Sequence, residues 1–196
     1  MQQASELDPA RNRAALHEAM LELRRSPADP QPDLVVFPEV FARDFGRTGS
    51  DVAEFAEDLD GPFVSALTDV AREHRTTVVA GMFERSEDPS RPYNTLAVVG
   101  PGGLTASYRK IHLYDSFGYK ESERLLAGDV DPVLVEVQGF RLGLMTCYDL
   151  RFPELARELT RRGAEVLAVP AAWVAGPGKV HHWRTLATAR AIENTT

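Results

Sequence analysis

Cysteine is nearly absent: the 196-residue chain has one, Cys147. A single thiol cannot close an internal disulfide or build a cysteine-based four-ligand zinc site. Histidine is scarce too, with five in all, and the adjacent pair His181-His182 points to different sides of a helix, which suits joint metal ligation poorly. No apolar run reaches membrane-spanning length, and no basic start leads into an apolar segment. Positive charge is in deficit, 22 Lys and Arg against 29 Asp and Glu, for a net charge of -7. The pairs Arg24-Arg25 and Arg161-Arg162 fall at expected helix ends, where they read as solvated caps and not as a stripe for nucleic acid. The expectation is a cytoplasmic protein of one domain, with no nucleic-acid, membrane or metal partner.

What is present is a mixture of helical and strand periods. Asp8-Pro9 is a good helix start, and Leu16, Ala19, Met20 and Leu23 repeat on one face until Ser26-Pro27 stops the pattern. Asp33 to Glu39 is a continuous apolar run typical of a strand buried on both faces, closed by Pro38 and a carboxylate. Gly61-Pro62 opens a second helix with Phe63, Leu67, Val70 and His74 on its buried side, and Thr76 to Phe83 reads as the next strand. Thr95–Val99 and Leu104–Arg109 about Gly100-Pro-Gly-Gly103 read as an antiparallel hairpin, and Lys110 follows directly. The stretch from His112 to Gly128 has no clear period and reads as a long polar loop holding Glu121; loops of this length are often functional. Val133–Val137 and Arg141–Met145 form a second hairpin about Gly139. Glu165–Val169 is a short strand, and a last helix starts near Val180 with Trp183, Leu186, Ala187 and Arg190 on one side.

Cys147 lies where a strand pattern turns into a helical one, with Pro153, Leu155, Ala156 and Leu159 following. Taken alone, a lone cysteine is a small buried hydrophobe. At the carboxyl end of a strand and near a helix N-terminus it is also placed as a nucleophile, because backbone N–H groups there favour a thiolate or an oxyanion. A free thiol with pKa near ~8.5 is only a few per cent ionised at neutral pH, so attack needs a base or a cation nearby. Three strands end in chemistry-bearing residues: Glu39 for the base, Lys110 for the cation, Cys147 for the nucleophile. Their convergence is the central expectation. The rival pairing is Cys147 with His112 or His181, as in a thiol protease or acyltransferase.

Phe37-Pro-Glu39, Tyr108-Arg-Lys110 with Ile111-His112-Leu113 behind it, and Thr146-Cys-Tyr-Asp-Leu-Arg-Phe-Pro-Glu154 resemble, in order and spacing, the three signature blocks of the nitrilase superfamily of carbon-nitrogen hydrolases. Lys120-Glu-Ser122 with Gly128, and His182-Trp183 leading to Ala189-Arg-Ala-Ile-Glu-Asn194, extend the resemblance from about Asp8 to the last residue. Within the superfamily the chain looks most like the branch of omega-amidase and deaminated-glutathione amidase. The resemblance implies an α/β fold, an α-β-β-α sandwich of two mixed sheets with helices outside. It implies Glu39 as general base, Lys110 as stabiliser of the tetrahedral intermediate, Cys147 as nucleophile and Glu121 as a supporting carboxylate. The backbone N–H of Tyr148 would serve the oxyanion. The reaction implied is hydrolysis of a small linear amide by way of a thioester, with no cofactor or metal, in a homo-oligomer.

Arg151, four residues past the nucleophile, is placed to pair with a substrate carboxylate or, at helical spacing, with Glu154. Tyr114 and Trp173 are candidates for the pocket wall, and Phe117 and Tyr119 are open between wall and core. An N-carbamoyl amino acid is the alternative substrate. Family chains usually open with a short apolar strand and continue beyond the segment matching Ile192-Glu-Asn194. Against that pattern residues 1–196 read as one hydrolase domain lacking its first strand and its C-terminal strands and tail, which keeps an inactive binding or oligomer subunit as a further alternative.

Overall fold

Strand alternation in the first half of the chain sets the layers. In a computed structural model, which describes residues 1–23, 30–47, 49–116 and 118–196, helix α1 (Pro9–Leu23), strand β1 (Leu34–Val36), helix α2 (Pro62–His74) and strands β2 (Thr77–Glu84), β3 (Tyr93–Gly100) and β4 (Gly103–Arg109) come first. They form a four-stranded sheet in the order β1-β2-β3-β4. The first pair is parallel and the other two antiparallel. Successive side chains of a strand face opposite ways, so Val78, Ala80 and Met82 pack with Leu16 and Met20 of α1 and Phe63, Leu67 and Val70 of α2. Val79 turns to the other side, where Leu96, Val98 and Tyr108 meet Leu142 and Leu144.

Those last two belong to a second sheet. Strands β5 (Asp115–Ser116) and β6 (Tyr119–Lys120) form a small hairpin, and β7 (Leu134–Val137), β8 (Phe140–Leu144) and β9 (Val166–Ala168) pair in the order β7-β8-β9. Its β7–β8 pair is antiparallel and its β8–β9 pair parallel. Helix α3 (Pro153–Arg161) covers the outer side with Leu155, Ala156 and Leu159, and helix α4 (Lys179–Asn194) packs against α3. Gly143 permits this closeness, since a Cβ there would lie 3.1 Å from Ala164 and 3.2 Å from Leu159. The result is the α-β-β-α sandwich, with mixed sheets, that the resemblance implied.

Local chemistry explains the helix starts. The Asp8 carboxylate accepts from the Ala10 N–H at 2.9 Å, an N-terminal cap worth ~1 kcal/mol. Helix α2 begins at Gly61-Pro62 as its sequence predicts, but its Phe63 N–H is met at 2.6 Å by the carboxylate of Glu57, from outside the helix. Burying side chains such as Phe63 and Leu67 completely contributes roughly 1.5–3 kcal/mol each before entropy is subtracted.

Two expectations need correction, while the helix expected from Pro153 begins there. The Asp33–Glu39 strand is only Leu34–Val36, on the sheet edge and half-buried at either end, because Pro38 cannot continue a ladder. The His112–Gly128 loop contains the β5–β6 hairpin and a 3-10 turn at Glu121–Glu123. Cys147 starts a 3-10 turn, Cys147–Arg151, separate from α3. The Arg24-Arg25 pair, the Ser26-Pro27 helix stop and Phe117 lie outside the described residues. No helix among the described residues is long and apolar enough to cross a membrane.

Candidate active site

Glu39 leaves the end of β1 in a turn laid against β2. The Gly81 N–H donates to the Pro38 carbonyl at 3.3 Å, and the Ala42 N–H donates to the Gly81 carbonyl at 3.0 Å. Only glycine suits position 81, where a Cβ would collide with the backbone of Glu39 and Val40. The Glu39 side chain is 1 % exposed. Its Oε1 accepts from Lys110 Nζ at 3.0 Å and from Asn94 Nδ2 at 2.8 Å, and its Oε2 accepts from the Ala172 N–H at 2.8 Å.

Lys110 is fixed just past β4 by its backbone: its N–H donates to the Asn94 carbonyl at 2.8 Å and its carbonyl accepts from the Gly128 N–H at 2.9 Å. The buried ammonium is shared between Glu39 and both oxygens of Glu121, at 3.1 and 3.0 Å. Glu121 also accepts from the Tyr114 N–H at 2.6 Å. Two buried carboxylates around one buried ammonium leave one net negative charge, and each partner's removal would strand the others.

Cys147 completes the cluster. Its N–H donates to the Pro170 carbonyl at 2.9 Å, tying the turn to the end of β9. Its φ is +45°, a left-handed conformation that costs a non-glycine residue of order 1–3 kcal/mol and needs support from its surroundings. Burial would push the Glu39 carboxyl up, but the Lys110 ammonium, the Ala172 N–H and the Asn94 amide outweigh it and hold it below its ordinary value. Burial would likewise lower Lys110, and the charges of Glu39 and Glu121 override that and hold it above its ordinary value. For Cys147, burial and the facing Glu39 carboxylate push the thiol well up, and the ammonium only partly offsets them. The resting pair is therefore a thiol and a carboxylate.

A cavity of about 460 Å³ opens onto these groups. Glu39, Lys110, Glu121 and Cys147 line it at the reacting end, with the sequence candidates Tyr148, Arg151, Tyr114 and Trp173 around them. Arg151 stacks 5.4 Å from the Trp173 ring centre and 5.8 Å from that of Tyr148. Its Nε is buried without a hydrogen-bond partner, and among the described residues it has no ion pair, with Glu154 or any other carboxylate. Trp173 donates its indole N–H to the Lys179 carbonyl at 3.0 Å. Tyr119, Arg124, Arg47 and Lys179 also line the wall. No described histidine lines the cavity, and His112 Nδ1 is engaged at 2.7 Å by Asp149; the cysteine–histidine pairing has no geometry to support it.

Sequence reasoning missed Asn94, Ala172 and Asp149. Asn94 lies inside β3 and meets Glu39 only through tertiary contact, and Ala172 acts through its backbone, with no side-chain signal. Asp149 sits inside the quoted block, where Thr146-x-x-Asp149 is a capping-box signal, but its other contacts come from Tyr108 and His112, distant in sequence.

Solved structures place this architecture first. A variant of the amidase from Nesterenkonia sp. AN1, with acrylamide added at its active site cysteine, superposes with a TM-score of 0.78 at 28% identity, covering 100% of this chain and 73% of that one. The carbon-nitrogen hydrolase family model matches residues 1–196, and the chain belongs to that family. Among curated relatives, a hydrolase of Mycobacterium tuberculosis is 48% identical over 164 residues, 82% of this chain and 57% of that protein. The deaminated glutathione amidase of Escherichia coli O157:H7 is 42% identical over 179 residues, 91% of this chain and 68% of that protein. The chain thus spans between about half and two thirds of the length of these relatives.

Proposed function

We propose that the protein hydrolyses the C–N bond of a small linear amide, giving a carboxylic acid and ammonia through a thioester on Cys147. The observation that carries this is the buried Glu39 carboxylate facing the Cys147 thiol beside the Lys110 ammonium. As sulfur attacks the amide carbonyl carbon, the thiol proton passes to Glu39. The oxyanion that forms is held by Lys110 and the N–H of Tyr148. Collapse breaks the C–N bond, and the departing nitrogen takes the proton from Glu39. Water then gives a proton to the same carboxylate and attacks the thioester, and the thiol is restored when the C–S bond breaks. Glu121 keeps Lys110 ionised and aimed.

Arg151 supports a substrate that carries a carboxylate, since it is half-buried on the cavity wall, its buried Nε lacks a hydrogen-bond partner, and it has no anionic partner among the described residues. A charge-assisted pair there would contribute roughly 1.5–3 kcal/mol to binding. The name of the Escherichia coli relative, a deaminated glutathione amidase, agrees with such a substrate. Association of copies through the outer helices belongs to the same reading, and sedimentation velocity tests it.

The test is ammonia release from succinamate, glutaramate, alpha-ketoglutaramate and N-carbamoyl amino acids, beside a Cys147→Ala control, after circular dichroism has shown both proteins folded. Cysteine-dependent release on any of them supports the reading, and the preferred compound separates amide from N-carbamoyl substrates. Folded protein that releases no more ammonia than the control on the whole panel refutes it.

A further inference from the structure

Lys110 and Cys147 arrive from different sheets, yet the chemistry needs them in fixed register. The segments that carry them are joined at one point. The Asp149 side chain is fully buried. Its Oδ1 accepts from the His112 N–H at 3.0 Å and lies 2.7 Å from His112 Nδ1, and its Oδ2 accepts from the Tyr108 hydroxyl at 2.7 Å and from the Thr146 N–H at 2.8 Å. Tyr108 and His112 stand two residues either side of Lys110, and Thr146 directly precedes Cys147. The same two segments also meet through rings: His112 lies flat on Phe152 at 3.7 Å, and Tyr114 meets Tyr148 edge-on at 4.9 Å.

We infer that Asp149 is a positioning residue for the reaction, a carboxylate clamp that holds the strained Cys147 turn in register with Lys110. It touches neither the thiol nor the cavity, which Asp149 does not line. Its action is through Thr146 and Tyr108. An uncharged replacement cannot serve all its partners, because an asparagine NH2 would face at least one of these donors. The turn would then relax from its left-handed φ of +45°, and a displacement of the sulfur of about 1 Å costs roughly 10²-fold in rate.

The inference rests on the amidase reading for its consequence but is tested apart from it. Iodoacetamide alkylation of Cys147, followed by mass spectrometry, reports the placement of the thiol without any amide turnover. In Asp149→Asn kcat should fall about 10²-fold with KM changed less than about threefold, and the alkylation rate of the folded fraction should fall with it. Tyr108→Phe removes one contact and should slow both several-fold. Leu16→Ala, a core change beneath α1 far from the clamp, should lower Tm while leaving the alkylation rate unchanged. If Asp149→Asn fails to fold, Tyr108→Phe decides. Unchanged alkylation and kcat in the folded variants overturn the clamp even if wild-type protein releases ammonia. Slowed alkylation with no ammonia from wild type keeps the clamp and removes the amidase.

Discussion

Replacing Glu39 with glutamine separates the two tasks assigned to that carboxylate, taking a proton and holding up the thiol. The shape changes little, but the amide cannot accept a proton, and loss of a positioned general base costs roughly 10²- to 10⁴-fold in rate, or about 3–5 kcal/mol of barrier. Stability suffers as well. Glu39 accepts on both oxygens, from Lys110 and Asn94 on one and from Ala172 on the other. Whichever way the glutamine lies, its NH2 faces a buried donor, which costs about 1–3 kcal/mol. Lys110 keeps both its contacts to Glu121, so the loss stays below the ~3–5 kcal/mol of a fully broken buried pair. The thiol should move the other way from activity. With the carboxylate's charge gone and the ammonium still present, Cys147 ionises at lower pH than in wild type, because Glu39 is among the groups that raise it. Ammonia release and a thiolate absorbance titration, run on the same preparations, read both effects. Glu39→Gln retaining more than about a tenth of wild-type activity, or a thiol that titrates no lower, would refute the assignment.

Four further outcomes follow from the same geometry. The Glu39 carboxyl is held below its ordinary value of 4.5 and the Cys147 thiol well above its ordinary 9.0, so the competent carboxylate–thiol pair persists across that interval; kcat/KM measured against pH should show no limb inside it from these two groups, and a narrow bell whose limbs both fall well inside it contradicts this. Because the folded Glu39 value is depressed, its stabilisation is present above 4.5 and is lost as pH falls through the folded value; acid unfolding followed by circular dichroism should therefore be less steep in Glu39→Gln than in wild type. Arg151→Ala should raise KM for a carboxylate-bearing amide by roughly 10- to 100-fold with kcat little changed, leaving a neutral amide such as propionamide unaffected; equal effects on both exclude the carboxylate contact. Gly81→Ala should cost at least about 1–3 kcal/mol by overpacking and depress activity further through Glu39, since the added methyl meets the Glu39–Val40 backbone; unaltered Tm and activity would show that this close approach is not needed.

The candidate reacting groups were legible because each stands just past a strand pattern as a charged or nucleophilic residue. Glu39 after Pro38, Lys110 after Arg109 and Cys147 after Thr146 stand out against buried strands, and their shared block pattern places them in one family. The layers were legible for a similar reason, since Phe63, Leu67 and Val70 recur at helical spacing and Val78 to Met82 form a continuous apolar run of a strand buried on both faces. What escaped was set by tertiary contact. The short β5–β6 hairpin has only two residues in each strand, too few for a period to show. The left-handed φ of Cys147 and the N–H of Ala172 are backbone facts with no side-chain mark. The upward push on the thiol comes first from burial and then from Glu39 outweighing the ammonium, a balance that spacing along the chain does not contain.

The most direct measurement is intact-protein mass spectrometry of acid-quenched mixtures during turnover of the best carboxylate-bearing amide, with ammonia followed in parallel. An acyl group on Cys147 that appears with the ammonia and decays with it, and is missing from Cys147→Ala together with the ammonia, is the predicted result. Ammonia release that persists in Cys147→Ala would contradict a thioester path through this cysteine.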